Sequence, residues 1–281
     1  MGYGRHGGYH LRYGWVRKGL KYFRWETYQE KRLNDAEAAM QIGVGISMFR
    51  SVRFWLSAMG LVEPRSRRIT PLGEIINKHD PYIENTDTLW LLHYQLVLNV
   101  PAWSWFFNVF RHREFDQEQF LHWLSNHIFV RGEKVAFSSI KRDFDCFIRS
   151  YEDGGKNAVF SPEDVQYCPF QDLSLLKAIP SSDRSYRLRT VQSEEITDTL
   201  FLMAMSQQSQ ALNRKSLTLE EVERGHNGPG NIFCLVPEQV QDKLLKLSRR
   251  EHILLKRAAG NNEIRLLKEC DEMDFCFFIE S

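Results

Sequence analysis

The residues with the clearest potential for chemistry lie between positions 5 and 18. This segment interleaves Tyr and Trp rings with six cationic or titratable side chains, which are Arg5, His6, His10, Arg12, Arg17 and Lys18. Basic side chains bind phosphate, and aromatic rings can stack on unpaired bases. We therefore predict that this segment binds nucleic acid. The alternative is a structural arm whose rings anchor it to the core and whose charges are solvated.

A second basic group is predicted on one face of a helix. Around residues 46–60 an apolar stripe recurs at helical spacing, formed by Met48, Val52, Trp55 and Met59. At about 100° per residue, Arg50 and Arg53 lie about 200° and 140° from Met48. Both guanidinium groups are therefore expected to point away from the core, where a recognition helix meets DNA.

The elements that would position these arginines follow the order of a winged helix-turn-helix over residues 33–73. Asn34 or Asp35 can cap a first helix through Ile42, and the Gly-Val-Gly sequence at 43–45 supplies a tight turn before the second helix. Residues 61–70 then predict a hairpin, the wing, and Pro71 opens the next helix. The hairpin tip carries Arg65, Arg67 and Arg68.

The predicted nucleic-acid contacts combine the recognition helix and the wing with basic residues elsewhere. They are Ser47, Arg50, Arg53, Ser57, Arg65, Arg67, Arg68, Arg17, Arg142 and Arg149. Contacts to phosphate need only basic residues that share one face. The alternative interpretation is an amphipathic helix followed by a solvated, charged turn.

The distribution of charge supports an anionic partner. The first seventy residues hold thirteen Lys and Arg against five Asp and Glu, a balance of +8. Because the whole chain is only +1, the remaining residues carry −7. A basic N-terminal part joined to a mildly acidic body indicates a polyanion such as DNA.

Beyond residue 80 the pattern is mainly helical with short strands. Two buried helices are predicted in the stretch 88–110, one on each side of Pro101. A further helix is predicted from Asp116 to about Ile128, and another from Ser138 or Ser139 to Tyr151. Asp143 and Asp145 are two apart on that last helix and cannot converge on one metal ion, whereas Lys141, Asp145 and Arg149 are spaced for ion pairs. Later segments predict strands at 175–179 and 185–190, helices from Ser193, Thr218 and Pro237, and a hairpin at 253–268.

These patterns predict a mostly helical α+β protein with three domains. Residues 1–80 would form the basic arm and winged helix-turn-helix, residues 81–152 a helical domain with a second helix-turn-helix-like pair, and residues 153–281 a mixed α+β domain, with the boundary at 152–165.

Several classes of protein are disfavoured by the sequence. Five scattered cysteines without a Cys-x-x-Cys pair favour neither a disulfide framework nor a zinc knuckle, and residues 1–12 lack the apolar core of a signal peptide. The uncharged stretch at 88–110 is broken by polar residues and Pro101, so we expect buried helices and not a membrane span. A cytoplasmic protein fits best. No nuclease, P-loop or dinucleotide motif is visible, so catalysis cannot be derived from spacing alone.

Taken together, several blocks of residues resemble a bacterial family encoded beside DNA phosphorothioation genes. The blocks are His6 and residues 11–19, 43–45, 50–56, 60–61, 70–73, 80–82, 88–93, 105–108 and 141–147. The resemblance extends from His6 to about Leu176 and more faintly to the C-terminus. Where the family commonly has Gly-His-Glu-Thr-Phe, residues 5–9 read Arg-His-Gly-Gly-Tyr, so the acidic residue that might join His6 is absent.

This resemblance implies an antiviral defence system that replaces a non-bridging phosphate oxygen of DNA with sulfur. It implies in particular the nicking subunit of the single-strand-modifying Ssp type, which would open one DNA strand for its partner subunits. For such a subunit the resemblance implies His6, Arg12 and Lys18 as catalytic candidates, with His6 as general acid or base and with Arg12 and Lys18 stabilising charge on the phosphoryl transition state. Magnesium or manganese dependence is then expected, although no ligands are visible and no metal-binding residue is assigned. Two other functions compete with nicking: a non-catalytic winged-helix module that recruits the other subunits to DNA, and a transcription regulator.

Overall fold

The computed structural model describes residues 1–153, 167–180, 184–258 and 261–270. The chain divides into two compact units. The first comprises Met1–Trp105 and His112–Arg189, and the second comprises Phe106–Arg111 and Thr190–Ser281. The predicted segments 1–80 and 81–152 thus fall mainly in the first unit, and their independent folding stays a prediction. Most of the predicted boundary at 152–165 lies outside the described residues.

Helices dominate the first unit. They are α1 (Trp15–Tyr28), α2 (Asp35–Ile42), α3 (Ile46–Ala58), α4 (Pro71–His79), α5 (Thr86–Asn99), α6 (Pro101–Trp105), α7 (Gln117–Val130) and α8 (Phe137–Tyr151). Three short strands, β1 (Glu114–Asp116), β2 (Leu176–Ala178) and β3 (Ser185–Leu188), form an antiparallel sheet in the order β1-β3-β2. A 3-10 turn covers Pro169–Leu173. The predicted fold class, mostly helical α+β, is confirmed.

The helix, turn, helix and hairpin occur in the predicted order. A capping box joins Asn34 and Glu37 at the start of α2, and Gly43 ends that helix with φ of +70°, in the left-handed region that favours glycine. After α3, Val62 and Ile69 pair as an antiparallel bridge, which closes the hairpin. Use of this unit as a DNA-binding winged helix stays a prediction.

The uncharged stretch forms buried helices, as the sequence predicts. α5 and α6 meet at Pro101, and the chain continues as a π-helical turn over Phe106–Phe110, a change of pitch that the sequence did not predict. Within the described part of the chain, no helix is both long and apolar enough to cross a bilayer.

α8 differs from its prediction in two details. Its cap residue is Ala136, so Ser138 and Ser139 lie inside the first turn and do not cap it. The carboxylate of Asp145 pairs with Arg184, which precedes β3, and not with neighbours on its own helix. Surface i,i+4 pairs contribute only a few tenths of a kcal/mol, so a favourable cross-element contact readily replaces them.

The described residues of the second unit form four helices and a small antiparallel sheet. Its helices are α9 (Asp198–Ala211), α10 (Leu219–Arg224), α11 (Pro229–Ile232) and α12 (Pro237–Arg249), and its strands are β4 (Ser216–Thr218), β5 (Ile253–Ala258) and β6 (Asn261–Leu266), in the order β4-β6-β5. The capping box at Thr218 and the start at Pro237 are confirmed. The helix predicted from Ser193 is wrong in its start, because Ser193–Glu195 is a 3-10 turn and Thr197 caps α9. Part of the loop predicted at 260–262 lies outside the described residues.

Close contact between α4 and the hairpin depends on Gly73. A Cβ atom at this position would lie 2.2 Å from the carbonyl oxygen of Leu61 and 2.6 Å from Cγ2 of Ile69. The same carbonyl accepts the backbone N–H of Thr70, which caps α4. The backbone at Leu61 therefore cannot move away from a side chain at position 73 without disturbing the hairpin.

We expect Gly73→Ala to lower the free energy of unfolding of the first unit by about 1–3 kcal/mol, as overpacking does. Urea unfolding followed by tryptophan fluorescence measures this unit selectively, because it contains all seven tryptophans. Gly45→Ala is the matched control, since nothing lies within 4 Å of a Cβ there. Equal midpoints for the two variants would contradict the close packing.

Candidate functional site

The centre of the candidate site is a buried contact between α8 and the N-terminal arm, which we define as residues 1–14. His6 Nε2 lies 2.8 Å from Asp143 Oδ1, and the two side chains are only 0% and 1% exposed. The backbone N–H of Gly4 donates to both carboxylate oxygens, at 2.9 and 3.0 Å. These donors replace the water that a buried carboxylate loses.

Both ring nitrogens of His6 are engaged. The backbone N–H of Gly8 donates to Nδ1 at 3.1 Å, so Nδ1 is an acceptor and Nε2 carries the hydrogen that is donated to Asp143. The ring packs against Trp55 and Trp103 at centroid distances of 6.1 and 6.2 Å. In this arrangement the imidazole holds the arm in place, and it could exchange a proton with a substrate only after the arm moved.

The arm also binds α3 through its backbone. Ser51 Oγ donates to the carbonyl of His6 at 2.7 Å, and Trp55 Nε1 donates to the carbonyl of Tyr9 at 2.9 Å. Gly4, with φ of +65°, lies so close to α8 that a Cβ would be 2.9 Å from the nearest side-chain atom of that helix. The arm is thus fixed to α3 on one side and α8 on the other.

The other two catalytic candidates are not brought together with His6. The guanidinium of Arg12 lies 5.5 Å from the ring centroid of Tyr9 and 5.4 Å from that of Trp15. Lys18 is exposed on α1. Within the described residues, no hydrogen bond or ion pair connects His6 to Arg12 or Lys18, so their catalytic roles stay predictions.

Asp35 organises the arginines predicted to read DNA. Its carboxylate accepts from Arg50 Nε at 2.8 Å and from Arg53 Nη1 at 2.9 Å, and Arg67 Nη2 of the hairpin lies 3.7 Å away. A second carboxylate, that of Glu26 on α1, lies 3.4 Å from Arg67 Nη1. We call these five residues the Asp35 cluster; it joins α1, α2, α3 and the hairpin.

The cluster keeps Asp35 ionised. Burial alone would raise the pKa of Asp35, but the hydrogen bonds and charges of Arg50 and Arg53 outweigh it, and the pKa lies below its usual value. Arg50 keeps 61% of its side chain exposed and Arg53 keeps 29%. Arg50 in particular remains accessible to a ligand.

The remaining predicted nucleic-acid contacts divide by exposure. Arg65 and Arg68 are exposed at the hairpin tip, whereas Arg67 turns inward with 12% of its side chain exposed. On α3, Ser47 is exposed and Ser57 is buried.

The predicted contacts outside the helix-turn-helix lie on α1 and α8. Arg17 is exposed on α1, and Arg142 and Arg149 are exposed on α8. Arg142 lies next to the arm, since a Cβ at Gly8 would be 3.9 Å from its Cδ. Arg142 could therefore extend a basic surface from the arm onto α8.

The described residues do not form a protein-only metal site. No group of three His, Cys, Asp or Glu side chains among them is placed to hold an ion. Asp143 does not fit such a role in the observed arrangement, because both oxygens accept hydrogen bonds from the arm. No residue is therefore assigned to a metal.

Comparison with known protein families identifies the family to which this chain belongs. The family model described as "Protein of unknown function (DUF4007)" matches residues 3–277. The chain belongs to this family. A search among curated protein sequences found no match.

Two solved structures share the fold of this family member. One, "SspB crystal structure", is 20% identical with a TM-score of 0.76, and the other, "Magnesium ion-bound SspB crystal structure", is 21% identical with a TM-score of 0.77. Each match covers 99% of this chain and 86% of the other. They confirm, at the level of the fold, the resemblance drawn from the sequence.

Asp143 is the site residue that sequence reasoning missed. The acidic partner that is absent beside His6 in the sequence is supplied from 137 residues away. One signal was available: at about 100° per residue, Asp143 lies about 60° from Ile140 and about 40° from Phe147, at the edge of the apolar face of its helix. A carboxylate that is buried at such an edge must be paired.

We expect His6→Ala to destabilise the first unit by about 3–5 kcal/mol, because it leaves the carboxylate of Asp143 buried without its main side-chain partner. Asp143→Asn should also destabilise the unit, since it removes the charge that accepts from His6 and Gly4. Asp145→Asn, two residues further along α8 and partly exposed, is the matched control and should change stability by less than about 1 kcal/mol. Urea unfolding by tryptophan fluorescence provides the comparison, and a His6→Ala midpoint equal to that of the control would refute the structural importance of this contact.

Proposed function

We propose that this chain is the DNA-binding component of a DNA phosphorothioation system and that it nicks one DNA strand. The observation that carries the proposal is the fold shared with SspB over 99% of the chain. The charge of +8 within the first seventy residues supports an anionic ligand independently of that likeness. Other subunits of the modification complex are its proposed protein partners.

Duplex DNA is proposed to bind at α3 and the hairpin. Exposed Arg50, Arg65 and Arg68 lie on consecutive elements of the helix-turn-helix. The inward-facing Arg67 would position the hairpin through its contacts with Glu26 and Asp35 instead of touching phosphate. The partly exposed Arg53 shares Asp35 with Arg50, so DNA phosphate would compete with that carboxylate for both side chains.

For nicking, the proposed groups are His6, Arg12 and Lys18. Arg12 and the exposed Lys18 would stabilise negative charge on the reacting phosphate. His6 would contribute mainly by holding the arm that carries Arg12, because both of its nitrogens are bound within the protein.

A non-catalytic recruiting module is the second candidate function. The observation that favours it is the burial of His6, which leaves the arm without an accessible general base among the three candidates. In that case the arm is purely structural, and the exposed arginines deliver partner subunits to DNA. Regulation of transcription is a weaker candidate, because no feature of the described residues indicates an effector site.

Duplex binding is expected to depend on Arg50 and Arg53. Each change to Ala should cost about 1–3 kcal/mol if the side chain reads a base edge. Asp35→Asn should have the opposite effect and tighten binding, because it releases both guanidinium groups. Fluorescence anisotropy with a labelled duplex at fixed salt measures both effects, with Glu30→Gln as the control for the same change in net charge. Unchanged affinity in the folded Arg50→Ala/Arg53→Ala variant would contradict the proposed duplex site.

Nicking is tested by conversion of supercoiled plasmid to open circles with magnesium or manganese. Arg12→Ala and Lys18→Ala should each lower the single-turnover rate at least about a hundredfold while duplex affinity stays near wild type. His6→Ala should lower the rate similarly at a temperature where circular dichroism shows the destabilised variant to be folded. Lys31→Ala and Arg32→Ala, exposed cations in the same part of the chain, are controls. If the three variants nick normally, the catalytic groups lie elsewhere. If the folded wild-type protein nicks under no metal condition, the recruiting module is the better function.

A further inference from the structure

The outer face of α1 carries a basic and aromatic groove, in which only Arg17 was predicted from the sequence to contact nucleic acid. Arg17, Lys21, Arg24 and Tyr28 follow i, i+4, i+7 and i+11 spacing, so at about 100° per residue they lie within about 60° of one another. Trp25 lies next to this row. With α4 and the segment after it, they enclose an open groove of about 580 Å³, lined by Arg17, Lys21, Arg24, Trp25, Tyr28, Asn77 and Pro81.

The cations of this groove are only lightly engaged by the protein. Arg24 Nε lies 3.9 Å from Glu74 on α4, at a surface where ion pairs contribute little. Arg17 lies over the ring of Tyr82 at 4.9 Å, which leaves its donors outside that contact. The side chain of Lys21 makes no hydrogen bond or ion pair with any described residue. The cations of the groove differ in this respect from the three arginines of the Asp35 cluster, each of which pairs with Asp35 or Glu26.

The aromatic side chains point to the kind of ligand. Tyr28 is 85% exposed, and its ring contacts no other described ring. A large exposed ring beside three cations matches the combination that binds unpaired nucleic acid, in which cations follow the phosphates and bases stack on rings. Paired bases in a duplex offer no free face for such stacking.

We propose that the α1 groove, defined by Arg17, Lys21, Arg24, Trp25 and Tyr28, binds an unpaired DNA strand. The row from position 17 to 28 rises about 16 Å, enough for about five nucleotides at a stacked spacing of about 3.4 Å. Phosphates bind the three cations, and a base stacks on Tyr28. Because stacking accepts every base, the site has little sequence preference.

This inference goes beyond the proposed function, because it requires neither nicking nor the duplex site on α3, and only the choice of DNA over RNA rests on that function. At about 100° per residue, Glu26, which supports the hairpin, lies about 180° from Arg17 on α1. The groove and the Asp35 cluster are therefore on opposite faces of one helix. Variants can remove either without removing the other.

The test measures binding of a labelled oligothymidylate of about 16 nucleotides to the full chain by anisotropy across a salt series. The triple variant Arg17→Ala/Lys21→Ala/Arg24→Ala should reduce the slope of log K against log salt by about 2, since each phosphate contact on a single strand contributes about 0.7. Tyr28→Ala should weaken binding about five- to a hundredfold, and Tyr28→Phe should restore it.

Matched controls separate the groove from general charge and exposure. Lys177→Ala/Lys215→Ala/Arg249→Ala removes three exposed cations elsewhere, and Phe129→Ala removes an aromatic ring that is 82% exposed. Neither should change the slope or the affinity beyond the small effect of net charge. Circular dichroism and thermal unfolding verify the fold of every variant. We expect every variant to fold, because the substituted side chains are exposed.

A labelled duplex of the same length, measured with all variants, distinguishes this inference from the proposed function. Groove variants that lose single-strand binding while Arg65→Ala/Arg68→Ala loses duplex binding support two separate sites. Wild-type single-strand affinity and slope in the folded triple and Tyr28→Ala variants would overturn the groove, whatever happens to duplex binding.

A matched oligouridylate shows whether the strand must be DNA. Tighter binding of RNA than of DNA would overturn the assignment of DNA as the ligand of the groove.

Discussion

Burying the carboxylate of Asp143 requires its neighbours to supply the hydrogens that water would otherwise provide. They come from the arm, through His6 Nε2 and the backbone N–H of Gly4. This requirement fixes the path of the first residues more tightly than apolar packing could, because a hydrogen bond depends on direction as well as distance. Since the same stretch of arm binds Ser51 and Trp55, the alignment of α3 relative to α8 follows from it.

The basic charge of the first seventy residues is not all available to a ligand. Asp35 and Glu26 engage three arginines, and one of these, Arg67, is nearly buried. Charge in the Asp35 cluster thus holds helices and hairpin together, while charge at Lys21, Arg65 and Arg68 faces solvent. The exposed group releases counterions directly when a polyanion binds, which is the main source of affinity for nucleic acid, whereas Arg50 and Arg53 must first exchange the carboxylate of Asp35 for phosphate.

Local signals were enough to predict much of this architecture. Capping residues predicted the starts of α2, α7 and α10, and Pro237 predicted the start of α12. Glycine and proline predicted the turn after α2 and the break at Pro101, because these effects operate within a few residues. The strands β1 and β4, each of three residues, were missed since their pairing partners lie far away in sequence.

The candidate site was less predictable than the fold for the same reason. His6 was identified from its type, but its partner Asp143 is 137 residues away, and a neutral imidazole that holds a carboxylate looks identical in sequence to one that transfers a proton. Arg50 and Arg53 were predicted to point away from the core, and their side chains are 61% and 29% exposed. Their pairing with Asp35 was not predicted, because it depends on how α2 packs against α3.

α1 illustrates why a count of charges could not separate structural from available groups. Its fourteen residues carry Glu26 and Tyr22 on the side that supports the hairpin, and Arg17, Lys21 and Arg24 on the other. Helical periodicity alone produces this separation, since residues four or seven apart share a face and residues nine apart do not.

Any strand bound in the proposed groove would therefore leave the Glu26 contact with Arg67 in place, and it could affect the hairpin only by displacing α1 as a whole. Because α1 packs on α3 through Gly19, where a Cβ would lie 2.4 Å from the side chain of Leu56, such a displacement is strongly resisted. The groove on α1 and the duplex surface on α3 and the hairpin are thus expected to bind their ligands independently, without one switching the other.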